Sequence, residues 1–381
     1  MLPPTLADAV FDAHLFASLR QALQRGELST ERSRLTAAPA QLEPGALTRV
    51  TELTPEARVR LGVRGRHAIA AGEVAALVLN GGMATRFGGA VKGVVPVLPD
   101  HEQMSFLAVK LAGLRHTAID GGGPVPIVVM HSFATTAASR EHLESIDWSG
   151  VPERDRMSFE QSLLPRVLPD GTPLTALPGA EKLAETTLFA APGHGDTLQR
   201  LRDSGMLEQL VQRGVRHLMI SNVDNLGATL DPVILGAHLD AVDRGCALSV
   251  EVVERELGDA GGCVAEVGGR PQIIESFRLP PRVELVDYPY FNTNTLWATT
   301  QALQAPHPLT WFPVRKAIEW IDGSALELIQ FETLIGQLSE FVPTRGLLVD
   351  RSRFLPIKTR EDLVAAESEI RHIVRAAGLH P

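Results

Sequence analysis

Residues 74–92 constrain the fold more tightly than any other stretch of the chain. Val74–Leu79 is a strand-sized apolar run that gives way at once to Asn80-Gly81-Gly82-Met83-Ala84-Thr85-Arg86-Phe87-Gly88-Gly89, with Lys92 shortly beyond. After it, Phe106, Leu107, Val109, Leu111 and Leu114 mark a helix. Strand, glycine turn and helix in that order open an α/β sheet. Glycines directly after a buried strand also let backbone N–H groups approach an anion with no β-carbon in the way, and Arg86 and Lys92 add charge that matches phosphate oxygens. A glycine cluster that merely reverses the chain is the plainer alternative, and the two cations weigh against it. The pattern is neither a Walker A sequence nor Gly-x-Gly-x-x-Gly, which weakens kinase and dehydrogenase readings.

The alternation repeats downstream. Residues 126–132 form a second apolar run, followed by a polar turn over Thr135–Ser139 and a charged helix over 140–146. Pro192–Asp196 leads into a helix whose apolar face carries Leu198, Leu201, Leu207, Leu210 and Val211, and residues 217–225 read as a buried strand ending in polar residues. This wiring predicts an α/β fold with a mixed, mostly parallel sheet flanked by helices, and ligands outside the carboxyl ends of its strands. Residues 246–254, 261–267 and 271–276, with a glycine turn at Gly268-Gly269, predict an antiparallel portion at the sheet edge. Pro280-Pro281 and the stretch Pro306–Pro313 read as loops. Before Val74, the helical spacing of Phe11, Leu15, Leu19 and Leu23 predicts a helical arm over 1–70, packed on a catalytic domain over 71–365, with 366–381 as a terminal helix or tail.

Composition narrows the partners. Thirty-six basic against 45 acidic residues give a net charge of −9, so no global positive field exists to attract nucleic acid or an anionic membrane. No apolar run approaches the roughly 18–20 residues of a membrane span, and the amino terminus lacks a secretory pattern. Two cysteines, Cys246 and Cys263, are too few for a disulfide framework and fit a reducing, cytoplasmic home. None of the twelve histidines forms a Cys/His cluster or a His-Glu-x-x-His helix, and no Gly-x-Ser-x-Gly elbow is present, which argues against zinc and hydrolase chemistry.

Several strand-end residues carry suitable chemistry. Asp224, just past its strand, is placed to hold Mg²⁺ against nucleotide phosphates, although a strand-end aspartate serves equally well as a turn cap. Pro192–Asp196 puts two glycines around His194 before a helix, offering backbone donors and a helix dipole, while Asp196 is a natural N-cap. The Gln161 amide donates and accepts at once, which suits it to polar recognition.

These blocks, in order, resemble the eukaryotic-type UTP–glucose-1-phosphate uridylyltransferases. Leu79–Lys92 is similar to that family's Leu-Asn-Gly-Gly-Leu-Gly-Thr-x-Met-Gly loop and its following lysine. Met130–Thr135, Phe159–Gln161 with Pro165, Pro192–Asp196, Ser221–Thr229, Phe291–Asn294 and Arg351–Lys358 also resemble family segments, together spanning roughly residues 74–365. The resemblance implies a Rossmann-like nucleotide-diphospho-sugar transferase fold. It implies nucleotide contacts from Leu79, Asn80, Gly81, Gly82, Gln161 and Asn222, and sugar contacts from Gly193, His194, Glu275, Asn292 and Asn294. It assigns catalytic roles to Lys92, Arg86, Lys358 and Asp224, with Asp224 as the Mg²⁺ ligand, and it favours Lys358 over neighbouring Arg351 and Arg353 as the phosphate partner.

The reaction so implied is reversible: the phosphate of glucose 1-phosphate attacks the α-phosphorus of UTP in line, giving UDP-glucose and pyrophosphate. Because the attacking group is already anionic, cations and positioning should do most of the work. Asparagine where this chain has His194 would mark the related N-acetylhexosamine enzymes, so glucose is favoured. Some residues depart from the pattern. Ala84 replaces a loop glycine, one residue is missing between Gly88 and Lys92, and Thr295 replaces the second asparagine of a pair. The chain ends at Pro381, where eukaryotic members continue into a β-helix, so a monomer or small homo-oligomer is expected. Two rivals are a non-catalytic UTP or UDP-sugar sensor, which has no need of Lys92, Asp224 and Lys358 together, and a glycosyltransferase, which leaves the glycine loop unexplained.

Overall fold

The computed structural model describes residues 3–84, 87, 89–259 and 261–380. Its regular elements begin with α1 (Ala13–Gln24), β1 (Leu47–Arg49), α2 (Pro55–Ala70) and β2 (Val74–Leu79). They continue through α3 (Phe106–Gly121), β3 (Ile127–His131), α4 (Thr136–Ser145), β4 (Arg156–Glu160), α5 (Asp196–Asp203), α6 (Met206–Gln212) and β5 (His217–Asn222). The last third holds α7 (Pro232–Asp243), β6 (Leu248–Glu254), β7 (Cys263–Val267), β8 (Arg270–Ile274), β9 (Tyr290–Thr299), β10 (Phe312–Glu319), β11 (Ala325–Glu332), β12 (Thr344–Leu348) and α8 (Glu367–Ala376).

The main sheet runs β1-β12-β6-β9-β5-β2-β3-β4, with β9 antiparallel to both neighbours and the other pairings parallel. Residues of β2 alternate between two cores. Val74, Ala76 and Val78 pack into one with α2, α3, α7 and α8, whereas Ala75, Leu77 and Leu79 pack into the other with α5 and α6. Burial on both faces is why the strand is apolar throughout, and helix layers on both faces follow from it. β7 and β8 form the expected hairpin through Gly268-Gly269, joined to the sheet where Cys263 pairs with Phe291.

Three local features differ from the sequence reading. The helix expected over Leu198–Val211 is two helices, because Gly205 takes a left-handed φ of 74° between them. The helix read at 140–146 starts earlier, at Thr136, with Ser132 O accepting from the Thr136 amide. Pro306–Pro313 is not wholly loop: Phe312 and Pro313 begin β10, which pairs with β11 outside the main sheet. That hairpin packs Ile329 and Phe331 against Phe16 and Leu19 of α1, while β1 pairs with β12 at the sheet edge.

Candidate active site

The chain leaves β2 for β3 and β4 on one side and returns to β5 on the other, so the sheet order reverses between β2 and β5. Open α/β sheets bind ligands at such a crevice, outside the carboxyl ends of the strands. Leu79 and Asn222 are registered partners at these two ends. The glycine loop follows one and Asp224 the other, and Lys92 Nζ reaches Asp224 Oδ2 at 3.4 Å. Phe87 and Phe106 hold the Lys92 ammonium near their rings, at 5.3 and 5.7 Å from the centroids. Arg86 lies outside the described residues.

A cavity of about 420 Å³ opens over this crevice, lined by Leu79, Gly81, Gly82, Lys92, Gln161, Gly193, His194, Asn222 and Asp224 among others. The motif after β3 secures the loop from below: Ser132 Oγ donates to the Gly81 carbonyl at 2.8 Å, and Thr135 Oγ1 to the Asn80 carbonyl at 2.9 Å. Gln161 Nε2 donates to the Gly193 carbonyl at 2.7 Å, joining the end of β4 to the loop before α5. Asp196 reinforces that junction by accepting from the Ser162 amide at 2.7 Å and the Ser162 hydroxyl at 3.0 Å. It is not the N-cap expected from the sequence: Gly195 holds that position with no side-chain cap bond, Asp196 is the first residue of α5 with its carboxylate turned to Ser162, and burial pushes that carboxyl up to about 6 against the opposing Ser162 hydrogen bonds. Asn80 differs from the other loop residues. Its side chain is fully buried, donating to Ser139 Oγ at 2.8 Å and lying 3.2 Å from His131 Nδ1, and so supports the loop from within the fold instead of lining the cavity.

A second cavity of about 190 Å³ adjoins the first and shares His194, Asn222 and Asp224 with it. Glu275, Asn292, Asn294 and Lys358 line it, together with Phe291 and Phe354, which sequence reasoning did not single out. Asn292 and Asn294 reach it through a bulge in β9: Glu251 of β6 pairs with Thr295 and Val252 with Asn292, leaving Thr293 and Asn294 looped out. Asn294 takes a left-handed φ of 57°, which asparagine tolerates, and its Nδ2 donates to Asn222 Oδ1 at 3.2 Å. His194 Nδ1 accepts from the Ile335 amide at 2.9 Å, and burial lowers its pKa to about 4. The ring is therefore neutral with its remaining proton on Nε2, a fixed hydrogen-bond donor. Burial also raises the Glu275 carboxyl, with Arg278 opposing the shift.

The basic run near the carboxyl terminus divides by partner. Arg351 makes two hydrogen bonds to Asp259, and Arg353 two to Glu251, which is fully buried and also accepts from the Trp297 indole. Lys358 is exposed on the second cavity, placed by the Ile357 amide donating to the Asp224 carbonyl at 3.0 Å.

A family model described as UTP–glucose-1-phosphate uridylyltransferase matches residues 46–377. The chain belongs to this family. It is 31% identical over 312 residues to the probable UTP–glucose-1-phosphate uridylyltransferase of Schizosaccharomyces pombe, covering 78% of this chain and 59% of that protein. A Dictyostelium discoideum uridylyltransferase is likewise 31% identical over 312 residues, covering 79% and 59%. The chain thus spans about six-tenths of the length of these uridylyltransferases. Among solved structures, a mutant UDP-glucose pyrophosphorylase of Leishmania major in complex with UDP-glucose superposes with a TM-score of 0.73 at 25% identity, covering 93% of this chain and 75% of that one. A UDP-N-acetylglucosamine pyrophosphorylase from Entamoeba histolytica reaches the same TM-score at 17% identity, covering 85% and 86%, which speaks for the fold alone.

Proposed function

We propose that this protein is a uridylyltransferase converting UTP and glucose 1-phosphate reversibly to UDP-glucose and pyrophosphate. The observation that carries the reading is the pair of adjoining cavities meeting at His194, Asn222 and Asp224. One has a glycine floor and an amide suited to a nucleobase, the other the amides and carboxylate suited to hydroxyl groups. A phosphate linkage spanning the junction would sit beside Lys92 and the His194 Nε2–H, with Lys358 approaching from the sugar side.

Each residue has a physical task in this reading. The loop amides after Leu79 and the Lys92 ammonium gather the triphosphate, and Gln161 reads the base edge. Lys358 and the neutral His194 hold the sugar phosphate without a proton having to move. Since both reacting groups are anions, bringing them together against their repulsion is the larger part of the barrier. Asp224 fits a Mg²⁺ ligand. Among the described residues no set of three His, Cys, Asp or Glu side chains gathers to hold a metal, and Mg²⁺ commonly binds through one or two carboxylates, with water and substrate phosphates completing its shell. Bound there, it would neutralise charge on the phosphates. No helix among the described residues is long and apolar enough to cross a membrane, and cytoplasmic residence as a monomer or small oligomer belongs to the same proposal.

The test is pyrophosphate release from UTP and Mg²⁺ across glucose, galactose and N-acetylglucosamine 1-phosphates, with Asp224→Ala as control. Release with glucose 1-phosphate, lost in the control, is expected. Release only with N-acetylglucosamine 1-phosphate would reassign the sugar, and silence across the panel despite UTP binding would indicate a sensor.

A further inference from the structure

The loop that carries Asn222 and Asp224 is held from behind by a buried ammonium. Lys110, on α3, is 5% exposed, and its Nζ donates to Ser221 Oγ at 3.2 Å and to the Ala228 carbonyl at 2.6 Å. Those acceptors bracket the excursion that follows β5: Ser221 is the strand's penultimate residue, and Ala228 lies where the chain returns after passing Asn222 and Asp224. A single side chain therefore closes the base of the loop. Arg353 grips the next residue, donating to the Thr229 carbonyl at 2.9 Å and the Thr229 hydroxyl at 3.1 Å.

Two further observations argue that Lys110 is more than packing. The carboxylates whose fields act on it, Asp224 and Glu251, are each paired with another cation, Lys92 and Arg353. Burial and the Arg353 charge together lower its pKa to about 7. Burying an ammonium opposes folding, and an apolar side chain of similar shape is often at least as stable in such a place. Behind the loop lies a cavity of about 560 Å³, lined by Lys110, Leu226–Ile234, Arg353 and Ile373 among others. Only the returning end of the loop, from Leu226, borders this cavity; Val223 packs into the core and backbone hydrogen bonds tie Asp224 and Leu226 to residues 355–357, so without the Lys110 contact it is the end at Ala228 that has room to shift.

We propose that Lys110 is a positioning residue, which by joining Ser221 to Ala228 fixes Asn222 and Asp224 at the junction of the two cavities. Its functional half rests on the nucleotidyl-transfer reading; its structural half does not. The experiment compares wild type with Lys110→Met by hydrogen exchange, thermal unfolding and steady-state kinetics, and reads Lys110→Gln in its place should the methionine variant fail to fold. Amides of residues 222–229 are expected to exchange about tenfold faster while the rest of the sheet is unaffected. Tm should be unchanged or raised. Turnover should fall by about 10- to 100-fold, the scale of a small misplacement of reacting groups, with KM for UTP altered less than turnover because the glycine loop and Gln161 lie on other strands and only Asn222–Asp224 of that cavity are moved. Unchanged exchange over 222–229, or faster exchange everywhere with a lower Tm, overturns the clamp. Locally faster exchange with wild-type turnover overturns the positioning role. A wild-type protein inactive toward UTP and every hexose 1-phosphate would sink the reaction instead, while the exchange data still decide the clamp.

Discussion

Gly81→Ala places one methyl group where the glycine loop meets Gln161, the residue proposed to read the base. A β-carbon at Gly81 would collide with Gln161 Oε1 and lie 3.2 Å from Gln161 Cδ, tighter than most such contacts. The amide must retreat by about 1 Å, which stretches its 2.7 Å bond to the Gly193 carbonyl past the range of a hydrogen bond. Losing that bond costs about 1 kcal/mol of stability, or about 1–3 if the carbonyl stays dry and unpaired. Displacing a positioned group by about 1 Å costs about 100-fold in rate, so kcat/KM for UTP should fall far more than stability does. Gly82→Ala is the stability control, since a β-carbon there meets no protein atom within 4 Å. The decisive assay is a double-mutant cycle: once Gln161→Ala has removed the clashing amide, adding Gly81→Ala should cost little more in kcat/KM. Fully additive losses, or a Gly81→Ala enzyme with wild-type kcat/KM, would refute the argument.

Three other outcomes are expected. Lys92→Ala should lower turnover by about two to four orders of magnitude, as for other lost transition-state charge contacts, and near-normal turnover in the folded variant removes it from the mechanism. Asp196 is held up to about 6 in the fold against 3.8 for the free side chain, so its contribution to stability is full below pH 3.8 and is lost as pH rises through 6. Asp196→Asn should therefore gain at most about 3 kcal/mol over wild type at pH 8, less any weakening of the Ser162 contacts, with the gain vanishing below pH 4 in denaturant titrations. Arg353→Met strands the buried Glu251 carboxylate and should destabilise the protein by about 3–5 kcal/mol, whereas Lys358→Ala should leave the unfolding midpoint alone and act on activity. The reverse ranking of these two variants in denaturant melts would contradict their assigned places.

Much of the fold and the candidate site was legible because their signals are local. β2 is buried on both faces and so apolar at every position, and the polar residues of interest sit just past such runs. What stayed hidden depends on distant partners. Arg351, Arg353 and Lys358 form one basic run in sequence, and only Asp259 and Glu251, far away in the chain, divide structural arginines from a cavity lysine. β10 was masked by its own composition, since its start fell in the proline stretch 306–313 that reads as loop, and the exposed Arg315, Lys316 and Glu319 leave it no apolar alternation. Lys110 gave no signal, because α3 is covered on most sides and a lysine among apolar residues looks like a solvated position.

The bulge at Thr293-Asn294 separates two demands that a regular strand would bind together. On either side of it the β6–β9 pairing resumes, with Thr295 against Glu251 and Asn292 against Val252, and the Thr293 hydroxyl bridges the gap by donating to the Glu251 carbonyl at 2.8 Å and accepting from the Thr295 amide at 3.3 Å, which leaves Asn294 as the looped-out side chain that the strand pairing does not use. Asn294 faces the smaller cavity from this detour. If the smaller cavity takes the sugar, as proposed, its preference can drift, or be engineered, at Asn294, a side chain outside the strand ladder whose one hydrogen bond across the junction is to Asn222. A library confined to position 294 would vary that wall of the smaller cavity while the Thr293 bridge keeps the strands together.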